Sequence, residues 1–289
     1  MSDFFIVTDS TTDLPLSYYE EHNVGYMCLS CLMNDKVYNK KNPIDIIDFY
    51  DALAGGSMPT TSQINPDEAK TELLEYLKNS KNILYIAFSS GLSGTYQSGV
   101  IAANEIMEED SEANIVVIDT VSASLGEGLI LHKAVELRDQ GKSMKEVEEY
   151  IRANLLHQCS VFTVDSLFHL YRGGRVSKAT AVIGTMINIK PLLHINDEGK
   201  LINIGKCRGR KKSLSSLCDL MEERLGEYKN MDQKVFISHS NCLEDAETVA
   251  KEVKERFGFE TEIINFIGPV IGSHTGIGTV ALFFWGDHR

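Results

Sequence analysis

Small hydroxyl residues and glycines, rather than carboxylates or metal ligands, form the segments of this chain best suited to hold another molecule. The run SSGLSGTYQS, Ser89 to Ser98, follows the apolar stretch NILYIAF and precedes GVIAANEIMEE. A strand that ends there and feeds a helix aims free backbone N–H groups, and the positive end of the helix dipole, into the adjoining crevice. Ser93, Gly94 and Thr95 open that helix, and a glycine lets a ligand approach the main chain closely. PTTSQINP, residues 59–66, stacks Thr60, Thr61, Ser62 and Gln63 ahead of another helix start. VTDSTTD supplies Asp9 and Ser10, and DTVSAS supplies Asp119, Ser122 and Ser124. Helix and turn capping alone would account for such residues. Placed together at the carboxyl edge of a parallel sheet, the same segments would line one binding crevice. None of them contains Lys or Arg. Phosphate sites usually recruit those cations, so neutral donors suit a single carboxylate or another weakly charged head group.

Near the end of the chain, GPVIGSHTGIGTVAL sets His274 between Ser273 and Thr275 in a glycine-rich loop. There it serves as a hydrogen-bond donor to a ligand or as a structural cap; His239, in ISHS, has a weaker claim. YRGGRVSK places Arg172 and Arg175 around two glycines. Paired guanidiniums at a turn clamp a phosphate or carboxylate, or bridge two parts of a fold. KCRGRKK, residues 206–212, is the strongest basic run, read either as a solvated face or as a phosphate or partner contact.

Other chemistries fail on pattern. There is no G-x-x-x-x-G-K-[ST], and GLSGT is not the G-x-S-x-G elbow. GIGTVA formally fits G-x-G-x-x-A but lacks the βαβ unit that a dinucleotide fingerprint requires. CLSC, Cys28 to Cys31, reads as part of a buried strand, where residues three apart face opposite ways and share neither a metal nor a disulfide. No catalytic metal and no cofactor are expected.

The 289-residue chain carries a formal net charge of −13, which repels nucleic-acid phosphates. MSDFFIVTDS lacks the basic and apolar regions of a signal peptide, and no apolar run is long enough to span a bilayer. A cytoplasmic protein is expected, its six cysteines reduced.

Strands and helices alternate through the first half: FFIVTDS, NILYIAF and NIVVIDT are continuous apolar runs suited to strands buried on both faces. NPDEAKTELLEYLKN starts with Asn65 as N-cap and Pro66 in the first turn. Helices are predicted at about 94–108 and 124–140. After about residue 158 the pattern becomes mixed, with NDEG between two apolar runs as a hairpin signal. The expected fold is α/β: an N-terminal parallel-sheet domain, 1–158, and a C-terminal α+β domain, 159–289.

The ordered set VTDS, PTTSQ, SSGLSGTYQS, DT.SAS, L..L.RGGR, KP at Lys190 and Pro191, and GPVIGSHTGIGT resembles the DegV family of fatty-acid-binding proteins over essentially the whole chain. The one difference in flavour is Ile64, where proline often follows the glutamine. The resemblance implies a two-domain fold with a long-chain fatty acid in a tunnel between the domains. It implies a carboxylate held by Thr61, Ser62, Ser93 and His274, with Gly94 offering its backbone. It further implies a non-catalytic role as the binding subunit of a bacterial fatty acid kinase. A separate kinase subunit would phosphorylate the bound acid with ATP, Arg172 and Arg175 would meet that partner or the new phosphate, and the acyl phosphate would feed phospholipid synthesis. Transient contact with a membrane or an acyltransferase would then accompany delivery. Met186, Ile189, Phe266 and Phe284 are apolar residues whose packing would shape the tunnel. Two other readings compete: a serine hydrolase built from Ser93, His274 and Asp9 or Asp119, and a lipid-sensing docking module.

Overall fold

The computed structural model describes residues 4–178 and 188–289. Met186 lies outside the described residues.

The apolar runs of the first half become a four-stranded parallel sheet. Its strands β1 (Phe5–Asp9), β2 (Val24–Met27), β6 (Asn82–Ala87) and β7 (Asn114–Asp119) lie in the order β2-β1-β6-β7. A smaller antiparallel sheet, β4-β3-β5, joins β3 (Ser30–Met33), β4 (Lys36–Tyr38) and β5 (Thr60–Ser62). VGYMCLSCLM is therefore two strands with Cys28 and Leu29 between them, not one. Burial pushes the thiols of Cys28 and Cys31 up, the former to about 11, so both stay protonated.

The second half forms a six-stranded mixed sheet, β10-β9-β8-β13-β11-β12, from β8 (Gln158–Thr163), β9 (Ile189–Ile195), β10 (Leu201–Arg208), β11 (Val235–His239), β12 (Thr261–Phe266) and β13 (Val280–Trp285). The NDEG segment is the β9–β10 turn, with Gly199 in the left-handed region at φ 71°.

Layering follows from which faces are apolar. The helices Pro66–Tyr76 and Thr95–Glu109 cover one face of the parallel sheet. The helices Arg210–Leu225 and Leu243–Phe257 cover the outer face of the six-stranded sheet. Between the sheets runs the helix Leu125–Asp139, buried without a break from Leu125 to Leu131 and packed against β6, β8, β11 and β13. Its all-round burial, unusual for a surface helix, makes one core of residues from both halves, including Ile6, Leu129, Phe162 and Phe283. Among the described residues no helix is long and apolar enough to cross a membrane.

Candidate functional site

The carboxyl ends of β6 and β7 open onto the inner face of the six-stranded sheet, leaving a cavity of about 470 Å³. Strand alternation sets its apolar wall. Ser160 and Phe162 of β8, and Ala281 and Phe283 of β13, face the cavity, while Cys159, Val161, Leu282 and Phe284 turn to the opposite core. Phe284 therefore does not shape this cavity, and neither Ile189 nor Phe266 lines it.

One end of the cavity is polar, and its groups are tied to one another. Thr61, on β5, shares a 2.8 Å hydrogen bond between its Oγ1 and Nε2 of His274. Gln63, two residues on, packs against Gly94, the N-cap of Thr95–Glu109. Ser93 precedes it, its Oγ 2.9 Å from Thr95 Oγ1 and accepting from Thr95 N at 3.3 Å. Arg175 donates from Nε and Nη2 to the carbonyl of Leu92 at 3.2 and 3.0 Å. Thr61, Gln63, Ser93, Gly94, Arg175 and His274 all line the cavity.

His274 sits in the last turn of a short helix, Pro269–Thr275, rather than in the loop that its glycines suggest. Burial first, then the positive charge of Arg175, Arg172 and His169, pulls its pKa down to about 4, so the imidazole is neutral near pH 7. Its Nδ1 is buried without a hydrogen-bond partner. An N–H left there would forfeit a hydrogen bond, whereas a lone pair loses less, so the network assigns the proton to Nε2. His274 then donates to Thr61, and the threonine proton is free to point into the cavity.

The aspartates at the strand ends serve the loops instead. Asp9 is buried and accepts from Thr11 N at 3.0 Å and Phe88 N at 2.9 Å. Asp119 accepts from Ser90 N and Val121 N. No hydrogen bond among the described residues links either one to His274, and His274 bonds Thr61 rather than Ser93. The arrangement is not a hydrolase triad. Asp9, Asp13 and Glu127 form a buried acidic group, each carboxyl raised chiefly by burial, Asp13 to about 7.

Over residues 3–287 the chain matches the family described as "Uncharacterised protein, DegV family". It belongs to the DegV family. A DegV domain-containing protein of Clostridium perfringens is 44% identical over 296 residues, spanning 100% of this chain and 99% of the relative. Two solved structures share the fold. One is a DegV family protein from Thermus thermophilus, described by its fatty acid binding, at 29% identity and a TM-score of 0.86 over 98% of this chain and 99% of that one. The other is DegV from Bacillus subtilis, described as a fatty acid binding protein, at 28% identity and a TM-score of 0.86 over 99% and 100%.

Against the family expectation, Thr61, Ser93, Gly94 and His274 come together, and two residues depart. Ser62 is exposed and does not line the cavity; as the neighbour of Thr61 in a strand it points to the other face. Arg172 spends its Nη2 on the carbonyls of Pro59 at 2.7 Å and Ser273 at 3.1 Å. It thereby joins the residues just before β5 to the His274 helix. Arg175 is the guanidinium that reaches the cavity, so the polar end is not made of neutral donors alone. Within 59–66, residues Thr60–Ser62 lie in the small antiparallel sheet, and the parallel sheet reaches this cavity through the segments that follow β6 and β7. The basic run is solvated: Arg210 pairs with Asp245 and Lys212 with Asp219. His239 is buried at the end of β11 and accepts from Cys242 N.

The loop that carries Ser93 is held from the far side. Ser89 Oγ donates to Gly199 O at 2.8 Å, and a Cβ on Gly91 would lie 2.6 Å from Glu198 O. Only glycine lets the β9–β10 turn seat there. Sequence reasoning missed this contact and the aromatic wall, since both depend on how the second sheet folds back over the first.

Proposed function

We propose that this protein binds a long-chain fatty acid, with its carboxylate at Thr61, Ser93, Gly94 and His274 and its chain in the apolar cavity. The observation that carries the reading is the meeting of the Thr61 and Ser93 hydroxyls, the former oriented by His274, and the Gly94 backbone at one end of a cavity that Phe, Leu, Ile, Val and Ala side chains line together with a few serines and threonines. Each buried methylene contributes about 0.8 kcal/mol, so affinity comes from the chain and orientation from the head group. Domains 1–158 and 159–289 supply opposite walls in this reading.

The protein then presents its ligand to a separate kinase subunit. A carboxylate oxygen attacks the γ-phosphorus of ATP on that partner, ADP leaves, and the acyl phosphate passes toward phospholipid synthesis. The hydroxyl and backbone donors offset carboxylate desolvation, and Arg175, whose Nε and Nη2 are bonded to Leu92 O, adds positive charge at the same end. Arg175, already bonded to Leu92 O, is the cation placed to meet the new phosphate. In this reading Ser93 and His274 hold the ligand, and the phosphoryl-transfer chemistry lies with the partner.

The test is lipid extraction from denatured, freshly purified protein followed by mass spectrometry, with oleate and palmitate titrated into delipidated protein. A co-purified long-chain acid and saturable binding are expected. Protein that is empty on isolation and rejects both acids refutes the reading. The kinase step is tested by adding a candidate kinase subunit and ATP and following acyl phosphate as its hydroxamate.

A further inference from the structure

A second cavity, of about 430 Å³, adjoins the first, and Leu29 and Val270 line both. We infer that the two are segments of one slot, divided by those two side chains, and that the second receives the distal carbons of acyl chains too long for the first. The inference rests on the fatty-acid reading above and specifies which chains that site accepts.

The spaces meet at the two residues common to both linings, each with an aliphatic side chain. Leu29 sits in the connection between β2 and β3, and Val270 lies one helical turn ahead of His274. The helix Pro269–Thr275 thus borders both spaces: Pro269 and Val270 face the second, and Val270, Ile271, His274 and Thr275 face the first. Rotation of two aliphatic side chains between staggered wells is a small step compared with opening a hydrogen-bonded strand. Beyond the partition the wall stays apolar, with Leu14, Ile44, Ile46 and Phe266. Ser124, lining the first cavity, donates to Asp13, lining the second, at 2.6 Å, so the two spaces share a polar seam as well. Asn39 and Lys40 also line the second cavity. The additional space nearly doubles the room available to a chain anchored at Thr61 and His274.

The test compares palmitic, stearic, arachidic and behenic acids, by displacement of a fluorescent palmitate analogue from delipidated protein. Ile44→Trp and Ile46→Trp fill the second cavity at partly exposed positions remote from the head group. Wild type should gain affinity with each added pair of methylenes, by up to about fourfold per methylene. Both variants should bind palmitate within twofold of wild type and lose at least tenfold on behenate. Palmitate bound by all three proteins, with behenate unaffected by either tryptophan or rejected by wild type, overturns this inference and leaves the fatty-acid reading standing. Failure of wild type to bind any of the four acids overturns both.

Discussion

Gly173 lies against the imidazole of His274 so closely that a Cβ on it would fall 2.0 Å from Nδ1. The first glycine of RGGR is thus a seat for the histidine, and any side chain there must push the ring off its bond to Thr61. Gly173→Ala is expected to weaken palmitate binding by about 1 kcal/mol, the worth of the hydrogen bond by which His274 orients the Thr61 hydroxyl, as read by calorimetric titration. Unchanged affinity would show that the imidazole takes no part in anchoring.

Thr61 and Ser93 make a paired comparison. Thr61→Val keeps the shape of the side chain and removes its hydroxyl, so it should cost about 1–2 kcal/mol of binding, and Thr61→Ser should restore most of it. Ser93→Ala should weaken binding by a similar amount, with a smaller loss of thermal stability because the 3.3 Å bond to Thr95 N also goes. A stability loss without an affinity change would reduce Ser93 to a cap.

The two arginines should separate in their effects. Arg172→Ala cuts the ties to Pro59 and Ser273, which hold the elements carrying Thr61 and His274, so it should raise the dissociation constant for the acid. Arg175→Gln should affect acyl phosphate formation by the partner more than acid binding. The reverse pattern, with Arg172→Ala binding normally and failing in phosphotransfer, would make Arg172 the partner contact.

The pH dependence of folding carries two opposed slopes. Asp13 is raised from 3.8 to about 7 when folded. The folded state therefore keeps a proton that the unfolded chain sheds, and this contribution falls as pH climbs from about 4 to about 7. His274 is lowered from 6.5 to about 4, so its contribution rises from about pH 4 to about 6.5 and is flat above. Asp9 and Glu127, also raised by burial, share the falling limb, and Asp13→Asn removes the part that belongs to Asp13. Melting curves should show its stability relative to wild type increasing from pH 4 to 7 and level beyond; a pH-independent difference would mean that Asp13 is ionised throughout.

Much of this arrangement is legible in the residues. Asn65 caps its helix with Glu68 reciprocating, and the helices Thr95–Glu109 and Leu125–Asp139 fall within two residues of their predicted limits, because local patterns fix those boundaries. Thr61, Ser93, Gly94 and His274 converge as the family resemblance implies. What stayed hidden depends on pairing between distant segments. Thr60–Ser62 reads as a loop because three residues carry too little periodicity to signal a strand, and its pairing with β3 is what turns Ser62 outward. The glycines of GPVIGSHTG argue against a helix, yet Gly272 lies against Phe49 and Tyr50, where a larger residue would collide. Phe283 and not Phe284 meets the ligand space for a reason of register, which adjacent phenylalanines in a fully buried strand do not reveal.

The seat of the β9–β10 turn on Gly91 bears on how the polar end is held together. With the carbonyls of Glu198 and Gly199 pressed on that glycine and Ser89 bonded beneath them, the segment bearing Ser93 is pinned from above. In the fatty-acid reading, the Ser93 side of the polar end is thereby fastened to the second sheet, while the His274 side is tied to β5 through Thr61 and to the residue before it through Arg172.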